Sequence, residues 1–188
     1  MSSDLIRRLF TVEECLRMVD AGILRSDERV ELIRGEIIKM SPIGPRHGAA
    51  VDGATRAFVR LAGDSAIVRV QGTVVLDQLV APQPDLVLLR PRNDFYVRKN
   101  PGGSDILLVI EIADSSLDYD TTVKVGLYAI LGISEYWGAD LQNDRVICYS
   151  EPIEAGDHYR TVRECHKGDV LTPQGLPDCH LPLDVLLP

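Results

Sequence analysis

Glu111 is the residue whose setting most strongly indicates chemistry. It lies in the run ILLVIEI (residues 106–112), where no polar residue alternates with the apolar ones before it. Continuous apolar runs of this kind are typical of strands that are covered on both faces. A carboxylate there is costly unless a metal ion, a cationic partner or protonation compensates its charge. The alternative is that Glu111 lies at the strand end and reaches water.

Asp85 is the second candidate, because it opens an apolar strand directly after the segment Pro-Gln-Pro at residues 82–84. Proline cannot extend a central ladder, so the strand begins at Asp85 and the carboxylate lies at a strand terminus. An Asp after a Pro is also a common turn residue. Paired with Glu111 from a neighbouring strand, however, Asp85 would form a hard-oxygen site suited to Mg²⁺ or Mn²⁺.

Lys124 is the third candidate. In a helix predicted over residues 118–131, five residues share one side: Asp120, Lys124, Leu127, Tyr128 and Leu131. Because the two leucines should face the sheet, the ammonium of Lys124 is turned towards the same side, where it could reach the carboxylate pair. An exposed Asp120–Lys124 pair, which would add only about 0.3–0.5 kcal/mol, explains the spacing equally well.

The elements that must position these residues follow a mixed order. Helical patterns cover residues 11–21, which carry a Thr/Glu capping box, and residues 47–61 and 118–131. Strand patterns cover residues 30–33, 36–40, 67–70, 73–76, 85–89, 106–112, 135–141, 146–150 and 158–165. This order predicts a mixed α/β or α+β sheet. With 188 residues and no linker, we expect one domain over residues 1–188 with its core at about 25–150.

Composition limits the functional classes. The chain is 45% hydrophobic and 26% charged, as in ordinary globular proteins, and it has neither a membrane-length apolar run nor a secretory signal pattern, so we expect a cytoplasmic protein without a membrane partner. The formal net charge of −8 argues against a simple electrostatic DNA-binding protein. It does not exclude a nuclease, because metal-holding carboxylates count as negative until the metal arrives.

Four scattered cysteines without a CxxC pair indicate reduced, structural thiols. The doublets Cys165-His166 and Cys179-His180 leave a zinc site as an alternative. Adjacent residues in a strand point to opposite faces, which disfavours two ligands from one doublet on the same ion.

Two segments carry a family resemblance. The segment from Pro84-Asp85 through IEIADSSLDYDTTVKVGLYAILGISEYWGAD, preceded by VELIRGEIIKMSP, resembles the Uma-type restriction endonucleases of bacteria, which belong to the PD-(D/E)xK restriction-endonuclease-like superfamily. The resemblance covers about residues 10–188, and its most specific part is a strand-borne Glu followed by a D-x-x-x-K-x-x-x-Y-A helix and G-I-x-E-Y-W. It implies a restriction-endonuclease-like mixed sheet flanked by helices. It also implies a nuclease that hydrolyses phosphodiester bonds of nucleic acid, expected to be DNA, with Mg²⁺ or Mn²⁺ as its cofactor.

The resemblance also assigns roles. Asp85 matches the PD aspartate and Glu111 its acidic partner, and together they would hold the metal. The lysine expected two positions after the acid falls at Ala113, so the lysine function is assigned to Lys124 on the following helix, with Asp120 positioning it. Catalysis would thus depend on Asp85, Glu111 and Lys124.

The resemblance adds three auxiliary residues, Glu31, His47 and Gln71, at the site. From the residues alone, Glu31 could be exposed on an amphipathic hairpin, His47 could simply begin a helix, and Gln71 could be a bulge residue. Each alternative stays open at this point.

Substrate contact is predicted for the basic and aromatic loop at residues 90–99, through Arg90, Arg92, Arg98 and Lys99, although a solvated loop explains it equally well. Cleavage of both strands of a duplex would favour a homodimer. The competing functional hypothesis is a catalytically inactive nuclease-like protein retained for binding or assembly.

Overall fold

A six-stranded mixed sheet forms the centre of the computed structural model, which describes residues 7–25, 27–114, 123–154 and 156–188. Its helices are α1 (Val12–Asp20), α2 (Pro45–Ala62) and α3 (Val125–Ile130). Its strands are β1 (Val30–Ile33), β2 (Glu36–Lys39), β3 (Ile67–Val70), β4 (Leu86–Leu89), β5 (Ile106–Ala113), β6 (Glu135–Asp140), β7 (Arg145–Pro152), β8 (Tyr159–His166), β9 (Val170–Leu171) and β10 (Leu181–Pro182).

The central sheet has the strand order β3-β4-β5-β6-β7-β8. Only β5 and β6 pair in parallel, whereas all other neighbours in this sheet are antiparallel. A parallel pair needs a crossover connection, and α3 lies in the segment between these two strands. The topology agrees with the mixed α/β sheet predicted from the sequence.

Apolar layers cover both faces of β5, which explains its unbroken hydrophobic run. Leu108 and Ile110 face a cluster that includes α2 and the C-terminal leucines, whereas Val109 faces a cluster that includes α3 and Tyr136. Every residue of β5 is buried. Glu111 shares the α3 side with Val109, because strand residues two apart point to the same face.

The N-terminal elements follow their local sequence signals. Thr11 caps α1 and forms the predicted capping box with Glu14. The β1–β2 hairpin turns at Arg34 and Gly35, whose φ angles of 51° and 78° fit the two left-handed positions of a type I′ turn.

Two predicted elements differ from the structure. The strand predicted at residues 73–76 is wrong: the amides of Val74 and Val75 bond to the carbonyl oxygens of Pro82 and Pro101 in other loops, and β3 pairs directly with β4. The predicted helix at 118–131 is described only from residue 123, and α3 covers Val125–Ile130. Among the described helices, none combines the length and apolar character that crossing a bilayer requires.

The two glycines inside α2 give a matched test of this packing. A Cβ at Gly53 would lie 2.7 Å from the carbonyl oxygen of Val185, whereas one at Gly48 would make an ordinary 3.7 Å contact with Ile43. We expect Gly53→Ala to lower the free energy of unfolding by about 1–3 kcal/mol through overpacking. Gly48→Ala should raise it by up to about 1 kcal/mol, because alanine favours the helix. Urea unfolding of both variants measures the difference, and equal effects would contradict the close contact.

Candidate active site

Strand register brings Asp85 and Glu111 together. Leu86 of β4 lies opposite Ile110 of β5, so one further step of the antiparallel register sets Asp85 opposite Glu111. The Asp85 amide donates to Glu111 Oε2 at 3.3 Å, and Asp85 Oδ2 accepts from the Ile112 amide at 2.9 Å. Backbone groups therefore hold both carboxylates at the same end of the two strands.

Lys124 completes a buried charged cluster. Its Nζ lies 2.9 Å from Glu111 Oε1 and 3.2 Å from Glu31 Oε1. Lys124, Glu111 and Glu31 are each 3% exposed and Asp85 is 5% exposed. The alternatives in which Glu111 reaches water or Lys124 forms an exposed pair are therefore wrong. The ammonium contacts Glu111 of the predicted carboxylate pair, and its second carboxylate contact is with Glu31 rather than Asp85.

Glu31 joins three parts of the chain. Its Oε1 accepts from the Lys124 ammonium on the α3 side and from the Gln83 amide, at 2.8 Å, in the segment that leads into β4. This placement excludes the exposed hairpin position. Glu31 thus fixes both the lysine and the backbone immediately before Asp85.

Tyr128 is a site residue that the helical spacing placed on the side of Lys124 but to which the sequence analysis assigned no role. Its hydroxyl donates to Glu111 Oε1 at 2.9 Å, and the ring is fully buried. Burial, and then the charge of Glu111, raises the pKa of Tyr128 well above its ordinary value, so the hydroxyl keeps its proton. Its spacing of four residues from Lys124 was the available signal, because residues one helical turn apart share a face.

His47 and Gln71 both lie beside Asp85. Gln71 Nε2 donates to Asp85 Oδ1 at 3.3 Å. His47 Nε2 lies 2.9 Å from Asp85 Oδ2, although its orientation does not give an aligned hydrogen bond. This polar contact with Asp85 raises the pKa of His47 against the lowering effect of burial. Both residues are therefore placed to orient the Asp85 carboxylate.

The cluster opens into a cavity of about 390 Å³. Its walls come from the β1–β2 hairpin, residues 40–44, the start of α2 and the end of β5. Among the described residues, eight titratable ones line it: Glu31, Asp85, Glu111, Asp114, Arg29, Lys39, Lys124 and His47. Arg29, Lys39 and Asp114 were not found from the sequence, because nothing in their local pattern shows which cavity they face.

The basic loop predicted to contact substrate does not line this cavity. Arg90 follows the opposite end of β4 from Asp85, five residue steps or about 16 Å along the strand. Arg90 donates to the Ser104 carbonyl, and Arg92 pairs with Asp94. Arg98 and Lys99 are exposed in the same loop. Asp120 lies outside the described residues.

The oxygen donors of Asp85 and Glu111 are of the type that Mg²⁺ prefers. In the described part of the chain, no group of three or more His, Cys, Asp or Glu residues is arranged to hold a metal. Mg²⁺ usually binds through one or two carboxylates and completes its shell with water and substrate phosphates. The donor set therefore fits a two-carboxylate magnesium site better than a metal cage made of protein alone.

The Cys-His doublets do not converge. Cys165 and Cys179 are buried, whereas His166 and His180 are exposed. His166 lies 3.5 Å from Glu164, and His180 contacts the Thr172 hydroxyl at 2.8 Å. The histidines and cysteines of the two doublets thus face different surroundings.

Comparisons with known proteins agree with this architecture. A family model described as "Uma2: Putative restriction endonuclease" matches residues 12–184. A solved structure titled as a "putative nuclease belonging to DUF820 from Anabaena variabilis ATCC 29413" superposes with a TM-score of 0.70 at 17% sequence identity. The match covers 94% of this chain and 97% of that one, which establishes the fold. No curated protein matches the sequence.

The shared ammonium gives a stability prediction. Lys124→Met should lower the free energy of unfolding by about 3–5 kcal/mol, because it leaves two buried carboxylates without their cation. Adding Glu31→Gln should recover part of that loss, since it removes one of the two buried carboxylates that would otherwise lack a cation. Urea unfolding of the two single variants and the double variant measures the coupling. Strictly additive effects would contradict the Lys124–Glu31 interaction.

Proposed function

Because the chain belongs to the Uma2 family of restriction endonucleases, we propose that it is a metal-dependent nuclease whose catalytic residues are Asp85, Glu111 and Lys124. The family membership agrees with the resemblance found in the sequence, and family and fold together indicate a nuclease. Metal dependence, DNA as the substrate and the catalytic roles are parts of this proposal.

The observation that supports the proposal most directly is the buried cluster of Asp85, Glu111 and Lys124 beside an open cavity. Burying these charges is costly, and a fold that needed only stability could replace them with apolar groups. A charged cluster of this kind in a cleft is a common arrangement in active sites. Glu31 and Tyr128 add contacts that fix the cluster's geometry.

Asp85 and Glu111 would hold a divalent ion through their cavity-facing oxygens. A bound Mg²⁺ ion supplies Lewis acidity towards a phosphoryl oxygen and lowers the pKa of its water. The chain's own contribution is to orient the two carboxylates. Asp85 is fixed by the Ile112 amide and Gln71, and Glu111 by the Asp85 amide and Tyr128.

Lys124 is assigned an electrostatic role. Lys124 Nζ is held 2.9 and 3.2 Å from two carboxylates, a position that suits stabilisation of the negative charge that develops on the phosphoryl group. Glu31 holds the ammonium in place from the side of the β1–β2 hairpin. Glu31 therefore acts through Lys124 in this proposal rather than as a necessary metal ligand.

We assign nucleic acid as the substrate class, with DNA as the first candidate, and a cytoplasmic location. The family description supports a nuclease acting on nucleic acid. Cutting both strands of a duplex would bring two sites together in a homodimer, which sedimentation of the purified protein in the presence and absence of DNA can test.

The decisive experiment is Mg²⁺- or Mn²⁺-dependent cleavage of plasmid DNA, single-stranded DNA and RNA by the purified protein. We expect cleavage that EDTA abolishes, and a loss of at least about 10²-fold in Asp85→Ala and in Glu111→Gln, because each removes a metal-holding oxygen. Circular dichroism of each variant verifies folding. Cleavage that survives either substitution would identify a contaminant. Folded wild-type protein that binds nucleic acid without cutting it would favour the non-catalytic alternative.

Tyr128 and Tyr159 provide a matched pair for testing the positioning of Glu111. Both are buried, and each hydroxyl donates one hydrogen bond of 2.9 Å, from Tyr128 to Glu111 and from Tyr159 to the Ile133 carbonyl. Each Tyr→Phe change should cost about 1 kcal/mol of stability. Only Tyr128→Phe should also lower kcat, by roughly tenfold, and raise the Mg²⁺ concentration needed for half-maximal rate. Equal activity in the two variants would remove Tyr128 from the site.

A further inference from the structure

Two basic side chains line the cavity without an ion pair of their own. Arg29 directly precedes β1, and Lys39 ends β2 of the same hairpin. Within the described ranges, neither has a carboxylate within ion-pair distance, and the side-chain hydrogen bond of Arg29 is a 3.4 Å contact with the Ser41 carbonyl. Among the described residues, the hairpin thus presents two cations without a carboxylate partner to a cavity whose lining also includes four carboxylates, Lys124 and His47.

Their placement relative to the acids is defined by the strand pattern. Arg29 lies two residues before Glu31, so both side chains are on the same side of the strand. Arg29 is half-buried, whereas Lys39 is exposed at the cavity rim. Arg29 therefore lies on the face of the hairpin that carries Glu31. Lys39 pairs with Val30 and so lies on the other face, and it reaches the cavity only at the rim.

Several other basic side chains of the described residues already have partners. Arg46, at the start of α2, pairs with Asp144, and Arg92 pairs with Asp94. Lys124 is engaged by Glu31 and Glu111. A guanidinium carries five N–H donors in a planar arrangement that matches two phosphate oxygens. Because Arg29 makes one long hydrogen bond, most of its N–H donors can still bind a phosphate.

An anionic substrate needs such cations here. Four carboxylates of the described residues line the cavity, and the whole chain carries a formal net charge of −8. A phosphodiester that approaches the acidic floor is repelled unless positive groups lie along its path. Arg29 and Lys39 lie at the cavity wall and rim, where a nucleic-acid backbone would pass.

We propose that Arg29 and Lys39 form the phosphate-binding wall of the cavity, gripping backbone phosphates of the nucleic-acid strand next to the bond to be cut. This inference rests on the proposed nuclease function and deepens it. Arg29 contacts a phosphate through its planar fork, and Lys39 contributes a point charge at the rim. In this proposal, Arg29 and Lys39 make the substrate contacts that the sequence analysis predicted for the loop at residues 90–99.

The test compares two double variants that remove the same charge. Arg29→Gln/Lys39→Gln removes the proposed wall, and Arg98→Gln/Lys99→Gln removes two exposed cations of the distant loop. Binding of fluorescein-labelled duplex DNA, single-stranded DNA and RNA is measured by fluorescence anisotropy in EDTA between about 50 and 200 mM salt. Thermal unfolding establishes that both variants are folded.

We expect the wall variant to bind roughly tenfold more weakly, with a salt slope lower by about 1.5–2, because two phosphate contacts are lost. The loop variant should bind within about twofold of wild type. In Mg²⁺-dependent cleavage, the wall variant should raise KM roughly tenfold and change kcat little, as expected when a contact is equally strong in ground and transition states. Arg29→Lys, which keeps the charge, should recover part of the affinity.

Equal losses in the two double variants, or a loss confined to the loop variant, would overturn the proposal. So would unchanged salt dependence in the wall variant. The nuclease proposal fails separately: wild-type protein that binds but does not cut, while the wall variant loses affinity, supports the phosphate-binding wall and rejects catalysis. Wild-type protein that binds none of the three nucleic acids overturns both.

Discussion

The ammonium of Lys124, held between the carboxylates of Glu31 and Glu111, is the interaction on which the arrangement of the site depends. All three groups are buried, so none of them can rely on water to compensate its charge. The pairing joins the β1–β2 hairpin, β5 and the α3 segment. Breaking it would leave charges without partners at the meeting point of these elements, and this cost keeps the hairpin and helix in register with the sheet.

The sheet supplies the second constraint. The antiparallel pairing of β4 and β5 sets Asp85 opposite Glu111, and the backbone amides of Asp85 and Ile112 each bond to the other strand's carboxylate. Two acids are thereby held close together by backbone amides of the two strands. Two neighbouring carboxylates of this kind suit the divalent ion of the proposed nuclease.

The cavity has two chemically different sides. Acids at the ends of β4 and β5 form its floor, whereas Arg29 and Lys39 of the hairpin segment provide positive charge at its wall and rim. An acidic protein can approach nucleic acid if its positive charge is concentrated where the backbone must lie. With the charges separated in this way, a chain with a net charge of −8 could bind the proposed nucleic-acid substrate despite the repulsion between its acids and the phosphates.

The sequence by itself determined the parts that depend on local pattern: the capped first helix, the hairpin turn, the doubly covered strand around Glu111 and the helical spacing that turns Lys124 towards it. It misassigned residues 73–76, whose β-branched residues favour a strand but whose amides bond to distant loop carbonyls. Only the tertiary structure decided which side chains meet across elements: Tyr128 on Glu111, and Arg29 on the cavity wall. Such contacts depend on strand register and on how elements pack, and no local periodicity encodes them.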